Sequence, residues 1–143
     1  MSVAVTSRSF SKNKNLRSKL NKLYPNSKFN DEGLSLQGKD LINFLSGFEK
    51  AIIALETIDE YVLKNLPELK IIGKYGVGLD KIDLKAMSKY NKQIGWKPGV
   101  NKRSVSELAL AFMISSLRNL RFCQSEILKR NFNQVQGNNF PTK

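Results

Sequence analysis

Short apolar runs alternate with helix-period segments from Val3 to Trp96, and this succession limits the fold more than any other feature of the chain. Residues 3–6 (VAVT) read as a first strand, and 15–24 as a helix carrying Leu16, Leu20 and Leu23 on one face and stopped by Pro25. A weak second strand falls at 27–30. Leu41, Ile42, Leu45 and Phe48 mark a helix, and 51–55 (AIIAL) a compact buried strand. A helix with Tyr61, Val62 and Leu66 follows, then a strand at 69–73, a short helix at 84–90 and a strand at 93–96. Strands apolar on both faces, each followed by a helix, imply a parallel sheet covered on both sides. The expected fold is therefore α/β, a flavodoxin-like doubly wound parallel sheet of five strands, occupying residues 1–100.

Residues 101–143 differ in kind. Ser104-Val-Ser-Glu107 fits a capping box, in which serine and glutamate each satisfy the other's backbone amide. Val105, Leu108, Ala109, Phe112, Met113, Leu117 and Leu120 then recur at helical spacing, predicting one long helix packed on several sides and running to Arg130. The ending QVQGNNFPTK has turn formers and little to bury. The expectation is an interdomain helix leading into a Rossmann domain most of which lies outside these residues.

Composition excludes several classes. The chain has 143 residues, 41% hydrophobic and 25% charged, as in soluble globular proteins. Its longest apolar candidate, 108–117, falls short of the ~20 residues that span a bilayer, and the N-terminus lacks the pattern of a signal peptide. A cytoplasmic setting is expected. One cysteine, Cys123, and no histidine rule out an intrachain disulfide and the usual zinc ligand sets, so no metal is expected. The net charge of +12 suits a protein drawn to phosphate or acidic surfaces. It is spread between Lys12, Lys14, Arg17, Lys19 and Lys22 on one side and Lys102, Arg103, Arg118, Arg121, Lys129 and Arg130 on the other, which fits a solvated surface and argues against nucleic acid.

The run LKIIGKYGVGLDKID, residues 69–83, enters Gly76-Val77-Gly78 from an apolar strand. A dinucleotide fingerprint needs a glycine where this chain has Lys81, and an acidic residue near Trp96, where there is none. No G-K-[ST] forms a P-loop. A glycine turn at the carboxyl end of a parallel strand remains, and its amides either form an anion nest or serve chain geometry alone.

Two blocks carry a resemblance: LPELKIIGKYGVGLDKIDL at 66–84, and PGVNKRSVSELAL at 98–110. In order and spacing they look like the N-terminal half of the D-isomer-specific 2-hydroxyacid dehydrogenases, the phosphoglycerate dehydrogenase-like branch in particular. The resemblance implies an NAD-dependent oxidoreductase of two lobes, the first presenting a small 2-hydroxy or 2-oxo acid to a nicotinamide held by the second. It implies that the Val77 and Gly78 amides grip the substrate carboxylate and that Lys74 and Tyr75 line the same mouth. Asn101 would offer an amide nearby, and Val105 would approach the nicotinamide. Asp80 reads as a brace for the glycine turn. Glu56, in the loop after the third strand, would face the cleft, where it suits a phosphorylated substrate poorly. The family's arginine, glutamate and histidine belong to the second lobe, so the chain alone is expected to be inactive.

Other classes fit less well. A receiver domain needs acidic residues where Ser7-Arg8-Ser9 and Leu55 stand, and a flavodoxin needs a phosphate loop that residues 6–10 only approximate. A nucleic-acid-binding module has charge in its favour and no interleaved aromatic pattern. A non-enzymatic interaction domain stays open, because the apolar face of the terminal helix suits a second copy of the chain.

Overall fold

The structure is a computed structural model that describes residues 2–140. Twelve elements follow in chain order: β1 (Ala4–Val5), α1 (Arg8–Lys12), α2 (Lys14–Leu23), β2 (Lys28–Phe29), α3 (Gly38–Leu45), β3 (Lys50–Ile53), α4 (Glu60–Lys64), β4 (Ile71–Lys74), α5 (Leu84–Lys89), β5 (Gln93–Gly95), α6 (Lys102–Leu117) and α7 (Leu120–Leu128). The chain divides into two compact units after Pro98.

The first unit is built on one sheet in the order β2-β1-β3-β4-β5, all parallel. This is the flavodoxin-like order, as the alternation of strand and helix implied. Successive strand residues point to opposite faces, and β1 shows the result. Ala4 joins a cluster with Leu41, Leu45, Ile53, Leu63 and Ile72, whereas Val3 and Val5 join Phe10 and Phe29 on the other face. Leu41, Leu45, Ile53, Leu63 and Ile72 are fully buried, each stabilising the fold by about 1.5–3 kcal/mol relative to exposure.

Local capping sets the helix starts. Ser7, Asn13, Asp59 and Asp83 each accept from an amide in the first turn of the helix that follows, satisfying donors that have no partner within the helix. Helix α1 was absent from the sequence reading. Its five residues are too few for a period to show, and the Ser7 cap defines it. On α2, Leu16 and Leu20 pack toward Phe29, the Arg17 guanidinium lies 4.0 Å from the Phe29 ring centre, and Arg17 pairs with Asp31.

In the second unit three expectations fail. The capping box does not form, because α6 begins at Lys102 with Asn101 as its N-cap. Ser104 is thus already inside the first turn, and Glu107 instead accepts from Arg103 Nε one turn back at 2.8 Å. The helix does not run unbroken to Arg130, since Asn119 adopts the left-handed conformation at φ 52° and separates α6 from α7. Nor is α6 packed on several sides. It has no buried residue, and Val105, Leu108 and Phe112 are more than half exposed.

Candidate functional site

Helical crossovers carry the chain in opposite directions from β1 and β3, so the crevice at the carboxyl ends of these two strands is a topological switch point, where open α/β sheets take ligands. A cavity of about 350 Å³ lies there, walled in part by Ser7, Arg8, Ser9, Gln37, Glu56 and Tyr75. The loops around it are tied together. Ile58 and Ile82 form an isolated parallel bridge, with the Ile58 amide donating to Lys81 O at 2.8 Å and the Asp83 amide to Ile58 O at 2.9 Å. The exit from β3 and the glycine bend after β4 are therefore held in register with each other. On the β1 side, buried Asn30 donates to Thr6 O at 2.8 Å and to Leu34 O at 2.9 Å, and accepts from the Leu34 amide at 2.9 Å.

The bend begins directly after β4. The Tyr75 amide still donates to Ile53 O at 2.7 Å, continuing the ladder one residue past the strand. Gly76 then takes φ 143°, in the region that favours glycine. At Gly78 a Cβ would stand 2.7 Å from Asp80 Oδ1, so the carboxylate of Asp80 lies close against the bend. Gly76 and Gly78 are exposed and Val77 half-buried. Among the described residues the Val77 and Gly78 amides have no hydrogen-bond partner. The Val77 carbonyl accepts from Trp96 Nε1 at 3.0 Å, which anchors the bend to the chain just beyond β5.

The other residues singled out in the sequence fall in three places. Tyr75 and Glu56 are both walls of the cavity. The Tyr75 ring meets Phe10 edge-on, with ring centres 5.4 Å apart, and Glu56 is buried, accepting from the Ala54 amide at 2.6 Å. Lys74 turns back to donate to the Ala54 carbonyl. Asn101 and Val105 are in the second unit, at the N-cap and first turns of α6. Sequence reasoning passed over Arg8, Ser9 and Gln37 as site residues. The first two could have been found from their place just after β1, at the switch point, whereas Gln37 enters the wall through a tertiary contact that no local pattern announces.

A model of the family described as D-isomer specific 2-hydroxyacid dehydrogenase, catalytic domain, matches residues 3–140. The chain belongs to the D-isomer specific 2-hydroxyacid dehydrogenase family. Among relatives in this dehydrogenase family, a D-3-phosphoglycerate dehydrogenase of Archaeoglobus fulgidus is 32% identical over 83 residues, 57% of this chain and 16% of that protein. A glyoxylate reductase of Thermococcus litoralis is 35% identical over 72 residues, 49% of this chain and 22% of that protein. Among solved structures, the NAD+-bound 3-phosphoglycerate dehydrogenase of Entamoeba histolytica superposes with a TM-score of 0.70 at 21% identity, over 96% of this chain and 42% of that one. The D-lactate dehydrogenase of Aquifex aeolicus, solved with NAD and lactic acid, gives 0.75 at 21%, over 95% and 39%. At such identities the structural likeness speaks to the fold, and this chain spans less than half the length of each of these proteins.

Proposed function

We propose that these residues form the substrate-binding portion of an NAD-dependent D-2-hydroxyacid dehydrogenase, an oxidoreductase acting on the CH–OH group of a small 2-hydroxy acid. Residues 1–100 are the substrate-binding lobe and 101–143 lead into the cofactor lobe. One observation carries the reading. Two neighbouring amides, Val77 and Gly78, stand without partners in an exposed bend at the carboxyl end of a central strand. Amides already fixed by Gly76 and by the Trp96 anchor need little reordering to bind a carboxylate, and this preorganisation is what makes such donors effective. Lys74 and Tyr75 precede that bend directly in the chain, and the family resemblance assigns Asn101 to the substrate carboxylate and Val105 to the nicotinamide.

The cofactor's chemistry is to accept or deliver the hydride. The residues here do not fit as its seat, because Lys81 stands where the dinucleotide fingerprint needs glycine and the described part of the second unit holds helices and no strand. Proton exchange near neutral pH is histidine's usual task, and the sequence has no histidine. The 143 residues alone are accordingly inactive, and the partner of the site is the substrate acid. A homo-oligomer through α6 and a cytoplasmic setting complete the proposal.

Titration of the 15N-labelled chain with glyoxylate, beside its uncharged methyl ester, tests the reading. The Val77 and Gly78 amide resonances should move with the anion and stay in place with the ester. Equal responses to both, or none to either, would refute it. NADH formation from any 2-hydroxy acid by the chain alone would refute the inactivity.

A further inference from the structure

Glu56 is an unusual wall for an anion-binding crevice. The residue is 6% exposed, and one carboxylate oxygen, Oε2, accepts from the Ala54 amide at 2.6 Å. No cation among the described residues pairs with it. Its second carboxylate oxygen, Oε1, has no hydrogen-bond partner among those residues, and Glu56 is one of the walls of the 350 Å³ cavity. The loop that carries it is clamped from outside. Gln37 Oε1 accepts from the Thr57 amide at 3.0 Å, and Gln37 Nε2 donates to Leu55 O at 3.5 Å, so one amide side chain straddles Glu56. The acid is thus tethered at the wall of a cavity that is also lined by Tyr75, the residue before the glycine bend. A buried acceptor of this kind favours a donor and disfavours an anion. Arg8, another wall residue, exposed and in no ion pair among the described residues, is the feature that would favour an anion instead.

We propose that this cavity receives the tail of a 2-hydroxy or 2-oxo acid whose far end donates hydrogen bonds, a hydroxyl or an ammonium group, and that Glu56 is the specificity-determining residue. The proposal rests on the carboxylate-binding role given above to Val77 and Gly78, since it takes the acid to be anchored there with its tail toward Glu56. A phosphate or bare methyl tail is selected against, the first by charge and the second by leaving the acceptor unpaired.

Four acids of one carbon skeleton separate these possibilities: D-lactate with a methyl tail, D-glycerate with a hydroxyl, D-isoserine with an ammonium, and 3-phospho-D-glycerate with a phosphate. Each is titrated into the labelled 143-residue chain, and Kd is read from the amide shifts. D-glycerate or D-isoserine should bind about tenfold more tightly than the other two, as expected for one hydrogen bond to a charged acceptor, with shifts at Ala54 and Thr57 as well as at Val77 and Gly78. Preference for the hydroxyl assigns a hydroxy acid, and preference for the ammonium an amino-bearing one. Glu56→Gln keeps an acceptor for the Ala54 amide and should cut the advantage of D-isoserine at least severalfold. Tightest binding of the phosphate, abolished by Arg8→Ala, or equal binding of all four, would overturn the proposal while shifts at Val77 and Gly78 uphold the carboxylate site. Absence of those two shifts with every acid would overturn the carboxylate site and the proposal with it. If Glu56→Gln does not fold, the comparison of the four acids on the native chain decides the matter alone.

Discussion

Replacing Gly76 or Gly78 with alanine adds the same methyl group to the same bend, yet the two substitutions should behave differently. At Gly76 space is ample, because the nearest atom to a new Cβ is Lys74 Cε at 3.8 Å. The cost lies in the backbone, since φ is 143° and side-chain-bearing residues in such regions carry roughly 1–3 kcal/mol of strain. Restricting the unfolded chain returns about 0.4–1 kcal/mol, so Gly76→Ala should lose about 1–2 kcal/mol net. At Gly78 the φ is ordinary, and the new Cβ stands 2.7 Å from Asp80 Oδ1, the far end of an exposed side chain. Asp80 can swing away, and the loss should stay within about 0.5 kcal/mol. Urea denaturation followed by far-UV circular dichroism measures both, and a domain of this size should also lose roughly 4–8 °C in Tm per kcal/mol. Gly76→Ala should in addition weaken glyoxylate binding, because a relaxed φ re-aims the Val77 and Gly78 amides. Native stability in Gly76→Ala, or a larger loss in Gly78→Ala than in Gly76→Ala, would refute the claim that backbone conformation holds this bend.

Asn30→Ala removes a buried side chain that bonds Thr6 O, Leu34 O and the Leu34 amide, and should cost about 2–4 kcal/mol by thermal melting, since the abandoned groups stay desolvated. Trp96 is the sole tryptophan, and its Nε1 donates to Val77 O, so its fluorescence should respond to glyoxylate. Trp96→Phe should lose about 0.5–1.5 kcal/mol in a urea melt and weaken the binding. The Lys89 ammonium hydrogen-bonded to Glu60 holds that carboxyl below its ordinary value. This carboxylate therefore adds stability that is fully present at neutral pH and is lost as pH falls through the lowered folded-state value. Comparing the acid limb of stability in native protein and Glu60→Gln should show a shallower slope in the variant, and added salt should shrink the difference because the pair is exposed.

Much of the scaffold was legible because its signals are local. Apolar runs such as 51–55 and the alternation of helix and strand dictated a covered parallel sheet, although β3 is Lys50–Ile53 and Leu55 is exposed beyond it, and Pro25 ended a helix where Tyr24 now caps it. The glycine bend was legible too, as a bend, since two glycines after an apolar strand have few other uses. The cap of α6 was misread from an equally local pattern. Ser104 and Glu107 have the spacing of a capping box, but the helix starts at Lys102, and Arg103 takes the glutamate.

What the amino-acid order determined by itself is the class of fold, the position of the bend and the family, because each depends on residue types repeated at short spacing along one segment. Tertiary structure alone decided which loops meet. Gln37 straddles Glu56 from a segment eighteen or more residues away, the Ile58–Ile82 bridge sets the bend beside the exit of β3, and Arg8 and Tyr75 become walls of one cavity. Contacts between distant segments exist only after the sheet has closed in its order, so no periodicity along the chain could have announced them.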